Sequence, residues 1–301
     1  MESIAGHVVI TDRASLSFAA KLSAYAELTK PRITFLVVLT AAAGFCMGSA
    51  GGIDYVRLLN MGIGIALLCS GISALNQYLE RDIDGLMRRT QERPLPSGKL
   101  LPVEAAIFGV SLSAIATAYL AILINPLSAL LGCATLASYL FVYTPLKPKT
   151  TLSTALGAFP GAMPPFIGWV AARGEITIDA WILFAILFLW QFPHFLAIAR
   201  MYRDDYARAG IKMLPVVETD GRVTGQQIIS YTVLLVPVSL LPVVTGLAGS
   251  VYLAGATILG LGFLYFSARA AFVRTSWQAR RLLLASVLYL PILFGLMVLN
   301  R

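Results

Sequence analysis

Apolar stretches of about 20 residues, the length that carries an α-helix across a bilayer, recur nine times along the chain. They fall at 32–50, 58–79, 102–122, 124–143, 153–172, 178–200, 226–248, 250–268 and 282–300. Only Asn125 and Pro126 part the third stretch from the fourth. The polar segments between them are unequal. Residues 80–101 and 201–225 form long charged loops, whereas the alternate connections are short. Acidic motifs end the second and the sixth span, four helices apart. The pattern predicts an all-α polytopic membrane protein of nine transmembrane helices, arranged as two four-helix halves plus a last one.

The basic residues give an independent count. With the N-terminus inside, 20 of the 23 Lys and Arg residues fall on the inner segments, and only Arg57, Arg173 and Arg301 fall outside. The excess of Lys and Arg in cytoplasmic loops therefore puts both acidic motifs on the cytoplasmic side and the C-terminus outside. An error of one helix would scatter the pattern.

Composition agrees, with 58% hydrophobic and 13% charged residues, where soluble domains carry about 25% charge. The net charge of +8 is not read as nucleic-acid binding, because no basic run is interleaved with aromatics. Cys46, Cys69 and Cys133 lie inside apolar spans without paired spacing and read as packing residues. Residues 1–30 lack a short apolar core and cleavage site. They read as a cytoplasmic lead-in, with a helix lying on the membrane, before a single transmembrane domain over 31–301.

The chemistry concentrates where the second span ends, in Asn76-Gln-Tyr-Leu-Glu80-Arg-Asp82-Ile-Asp84. Each step of four residues turns a helix by only about 40°, so Asn76, Glu80 and Asp84 share one stripe. A carboxylate brought near a bilayer centre costs roughly 2.5–3.5 kcal/mol, less toward the interface, and a divalent cation compensates naturally. Mg²⁺ takes one or two carboxylates plus substrate phosphates, so the stripe reads as half of a Mg²⁺–diphosphate site. The alternative is a solvated helix end laced with ion pairs. Asp82 lies off the stripe and is a candidate for a second shell or second metal.

Further along the loop, Arg88 and Arg89 either clamp phosphate oxygens or pair with Asp84 and lipid headgroups. At the other pole Asp204 and Asp205 diverge by about 100° on a helix; one faces the cavity while the other pairs with Arg200 or Arg208. Tyr143-Thr-Pro-Leu-Lys147-Pro-Lys149 sets two lysines on a proline-stiffened loop, either against a departing diphosphate or simply on the inner face. The span at 153–172 holds three prolines, which free carbonyls for a cavity or kink the helix. His194 lies near the bilayer middle, where an ionisable residue is a functional candidate. It is a haem ligand, an acid or base, or a polar partner of Gln191.

The pattern Asn-x-x-x-acid-Arg-Asp-Ile-Asp-x-x-Met-x-Arg-Thr-x-x-Arg-Pro at 76–94 resembles the UbiA-type membrane prenyltransferases, and within them the branch that farnesylates haem. The resemblance extends through Thr29–Arg32, Tyr143–Lys147, Pro160–Trp169, Trp190–Phe195 and Asp205–Pro215, covering about 25–220. Two positions depart from the superfamily pattern. Glu80 stands where Asp is usual, and Arg208 and Ala209 replace the second acid of the later motif. The resemblance implies farnesyl diphosphate and haem B as substrates, Mg²⁺ on Asn76, Glu80, Asp84, Asp204 and Asp205, and catalysis by Asp84, Asp205 and Lys147. It assigns substrate contacts to Arg88, Arg89, Arg93, Tyr143, Lys149, Arg208 and His194. It also implies a bacterial inner-membrane location in contact with lipid, and haem A synthase as a partner. A prenyltransferase of quinone precursors would share the acidic motifs. An ion-coupled transporter would more often hold its acids at mid-membrane.

Overall fold

The computed structural model describes residues 17–301, so the first 16 residues of the expected lead-in lie outside the described part. Among the described residues there are helices and no strands. A short helix, α1 (Phe18–Leu28), precedes nine helices long and apolar enough to span a membrane. These are α2 (Pro31–Gly48), α3 (Tyr55–Asp84), α4 (Pro102–Leu123), α5 (Pro126–Leu146), α6 (Ser153–Arg173) and α7 (Ile178–Met201). After two short pieces, α8 (Arg203–Arg208) and α9 (Leu214–Val217), come α10 (Arg222–Val244), α11 (Ser250–Val273) and α12 (Ser276–Leu299).

The count matches the hydropathy pattern; the ends differ where polar residues carry a helix past its apolar stretch. The second helix runs to Asp84, beyond the expected 79, because its backbone pairing does not depend on which side chains it carries. The last begins at Ser276, ahead of the expected 282. There Thr275 accepts the Gln278 N–H at 3.3 Å as an N-cap. The weak break at Asn125–Pro126 is a real boundary: the Asn125 amide oxygen caps α5 by accepting the Ser128 N–H at 2.7 Å. Its NH₂ group reaches across to the Val170 carbonyl at 3.0 Å.

The most enclosed span is α6, 72% of whose apolar window is buried. Its three prolines stay within one continuous helix, and Gln191 of α7 donates to the Ala158 carbonyl at 3.0 Å. Glycines let α2 lie directly on it. A Cβ at Gly44 would stand 2.0 Å from the Pro165 carbonyl oxygen, and one at Gly168 would stand 1.9 Å from that of Ala41. Small residues that admit such close backbone approach are how helices associate in lipid. Buried hydrogen bonds join the later helices: Tyr252 donates to the Ser239 carbonyl at 2.6 Å, and the Ser239 and Tyr289 hydroxyls lie 2.8 Å apart.

Candidate functional site

The stripe forms as its spacing predicts. Asn76, Glu80 and Asp84 all lie within α3 and are all buried. Each is met by a different cation from a different segment. Lys30 donates to the Asn76 amide oxygen at 3.3 Å. Lys147 forms an ion pair with Glu80 at 2.6 Å. Arg93 donates to both oxygens of Asp84, at 2.8 and 2.7 Å. Asp82, by contrast, is exposed and lies 3.9 Å from Arg81. A helix that continues through 84 turns it away from the stripe.

Backbone geometry aims these cations. Lys30 precedes Pro31, which disfavours the αR region for it, and it adopts φ 48°, ψ 62°. A left-handed non-glycine residue costs on the order of 1–2 kcal/mol. Here that conformation ends α1, starts α2 and turns the lysine inward. Burial chiefly, and then the charges of Arg93 and Lys147, lower its pKa to about 8. Residue Lys147 follows a π-helical stretch, Ser138–Tyr143, near the end of α5; such single turns recur at functional sites. The Thr144 hydroxyl caps the widened turn by donating to the Tyr139 carbonyl at 2.9 Å. Tyr143 places its ring 4.5 Å from the Lys147 ammonium. Burial pulls the Lys147 pKa down, but Tyr143, Glu80 and Tyr139 together hold it above its ordinary value. The Tyr143 ring is seated by Gly157 of α6, where a Cβ would approach it to 2.5 Å.

Three polar loops converge here. Met87 of the first packs with Ala209 and Ile211 of the second. Arg89 donates to the Tyr206 hydroxyl at 3.0 Å and lies over the rings of Tyr202 and Tyr206. The Lys212 N–H donates to the Lys147 carbonyl at 2.9 Å. Asp205 pairs with Arg208, and Asp204 borders a cavity of about 560 Å³ beside the second motif, as do Arg88 and Arg208. Lys149 is exposed. The second motif does not join the stripe in a cluster: among the described residues no group of three His, Cys, Asp or Glu side chains is gathered tightly enough to hold a metal. The donors that are gathered, one amide and two carboxylates, are hard oxygens. They suit Mg²⁺ completed by substrate phosphates better than an all-protein cage.

Deeper along α7, His194 stacks on Trp190 at 4.6 Å and places Nδ1 2.8 Å from the Ser286 hydroxyl of α12. It does not pair with Gln191, which turns to the Ala158 and Leu187 carbonyls. Ser286 donates its only hydrogen to the Leu283 carbonyl at 2.6 Å, so Nδ1 carries a proton toward Ser286. That tautomer leaves the lone pair on Nε2.

The sequence reading missed Lys30 as a site residue and the tyrosines around Arg89. A lone lysine before proline at the mouth of a span was the available signal for the first. Nothing local marks Tyr202 and Tyr206, whose partner lies in another loop.

Solved structures with the same arrangement exist at low identity. A digeranylgeranylglyceryl phosphate synthase superposes with a TM-score of 0.78 at 19% identity, covering 93% of this chain and 98% of that one. A UbiA homologue from Archaeoglobus fulgidus bound to DMAPP and Mg²⁺ gives 0.64 at 16%, covering 91% and 98%. In sequence, the chain is 53% identical over 286 residues to protoheme IX farnesyltransferase of Solibacter usitatus (strain Ellin6076), covering 92% of this chain and 98% of that one. It is 44% identical to the protein of the same name from Koribacter versatilis (strain Ellin345), covering 94% of each. The UbiA prenyltransferase family model matches residues 37–296. By fold, by extent of match and by these relatives, the chain belongs to the UbiA prenyltransferase family.

Proposed function

We propose that the chain transfers the farnesyl group of farnesyl diphosphate to a vinyl group of haem B, giving haem O and pyrophosphate. The likeness to protoheme IX farnesyltransferases over nearly the whole chain carries this reading. The C1–O bond of the diphosphate breaks and its electron pair leaves with pyrophosphate. The terminal vinyl carbon attacks C1, water adds to the inner carbon, and one proton is released. The product therefore bears a hydroxyethylfarnesyl group.

The residues divide this work by position. Asn76, Glu80 and Asp84 would hold Mg²⁺, which when bound supplies positive charge to the diphosphate. Lys30, Arg93 and Lys147 stand around the same stripe and bring further positive charge to the departing oxygens. The enclosed apolar walls of α6 and α7 exclude water from the allylic cation. His194, with Nε2 free to accept, contacts the acceptor, and its iron is the natural partner for a neutral imidazole. On the inner face, where the basic loops cluster, the site opens to the cytoplasm of a bacterial inner membrane. There haem A synthase would draw on the product.

Purified protein incubated anaerobically with haem B, farnesyl diphosphate and Mg²⁺ tests the reading. The expected product carries the mass of haem B plus a farnesyl group and a hydroxyl group. Pyrophosphate release with an aromatic quinone precursor but not with haem B would replace it.

A further inference from the structure

The cavity beside the second motif is bordered by five guanidinium groups, and three of them are engaged. Arg200 donates to the Ala270 and Gly221 carbonyls, at 2.7 and 3.2 Å. Arg274 donates to those of Asp220 and Ala271, at 3.1 and 3.2 Å. Arg208 is paired with Asp205. Among the acids of the lining, Glu218 accepts from Thr224 at 2.8 and 2.7 Å, and Asp220 accepts the Arg222 N–H at 3.0 Å. What is left is Arg88 and Arg203, one from each acidic loop, against the single carboxylate of Asp204. Among the described residues neither guanidinium has an ion pair or a hydrogen bond to another residue's side chain.

Two free arginines facing one chamber fit a ligand with two adjacent anionic groups. The stripe residues and the cations paired with them do not border this chamber. The other substrate of the proposed reaction has such an edge. Haem B carries two propionates on one side of the ring and its vinyl groups on the opposite side. The chamber lies at the end of α7, and His194 is seven residues further in, about 10 Å along the helix axis. Carboxylates left at the aqueous end escape the cost of burial, while the vinyl edge reaches inward along α7.

Resting on the reading above, we propose that Arg88 and Arg203 bind the two propionate carboxylates of haem B and so orient its vinyl edge inward. Bidentate guanidinium–carboxylate bonds are among the stronger charge-assisted contacts. Losing either one weakens haem binding roughly tenfold.

The test uses the full chain in nanodiscs of zwitterionic lipid, with haem B and its dimethyl ester each titrated by absorbance. Arg88→Gln and Arg203→Gln should each weaken haem B binding roughly tenfold. They should leave binding of the ester, and of farnesyl diphosphate, within about twofold of wild type, and wild type should prefer haem B to its ester. Equal loss with both haems, or wild-type indifference to esterification, overturns the proposal. So does loss confined to farnesyl diphosphate or pyrophosphate, which would make the chamber a diphosphate site. A requirement for anionic lipid would give the arginines to headgroups instead. Failure of wild type to convert haem B at all overturns the functional reading itself. Conversion without a carboxylate preference overturns only the orientation.

Discussion

Lys147 and Glu80 meet at 2.6 Å, one just past the end of α5 and the other on α3, and both side chains are largely buried. The contact locks the loop after α5 to the acidic stripe. It gives the stripe a structural task as well as a chemical one, and the two separate by mutation.

Breaking a buried pair on one side costs about 3–5 kcal/mol, because the remaining charge is uncompensated. Glu80→Gln should therefore lower both the thermal midpoint and turnover, the latter by at least about tenfold. Adding Lys147→Met should restore much of the midpoint without restoring turnover. Recovery of activity in the double variant would show that the stripe serves stability alone. Asp84→Asn, assayed at limiting Mg²⁺, should likewise lose at least about tenfold while remaining inserted in the membrane.

Replacing His194 by Ala should weaken haem B binding and shift its absorption, with farnesyl diphosphate affinity little changed. Ser286→Ala should do the same more mildly, since it frees the imidazole without removing it. Impaired turnover with an unaltered haem spectrum would move His194 to acid–base work. No change in any quantity would leave it a packing residue.

Gly157→Ala places a methyl group against the Tyr143 ring and should push that ring off Lys147. The expected outcome is a higher KM for farnesyl diphosphate and a modest loss of stability, of about 1–3 kcal/mol as for other overpacked sites. Melting curves and steady-state kinetics on the same preparation check both. An unchanged KM would detach Tyr143 from the substrate site.

Single cysteines at Ser97 and Thr219, in a background without Cys46, Cys69 and Cys133, should react only when a reagent reaches the cytoplasmic face. Labelling of either from outside intact cells would overturn the assigned orientation.

How much of this was legible in the chain follows from the range of each interaction. Nine apolar stretches became nine spans among the described residues because hydropathy is a local property. The Asn76–Glu80–Asp84 stripe was readable because a helix fixes its own angular spacing. The partners of the stripe were not: Lys30, Arg93 and Lys147 reach it through tertiary packing. The π-helical turn before Thr144 was equally hidden, since it answers to Pro145 and the neighbouring helices more than to composition. His194 could be singled out by depth, but its tautomer depends on a serine of the last helix.

The order in which the stripe acquires its cations also bears on how the protein is made. Lys30 precedes α3 and Arg93 follows it closely, so Asn76 and Asp84 have partners as soon as that segment leaves the ribosome. Glu80 gains its ion pair later, because Lys147 emerges only after α4 and α5. The ion pair that shapes the site therefore ties α3 to a residue made two spanning helices later.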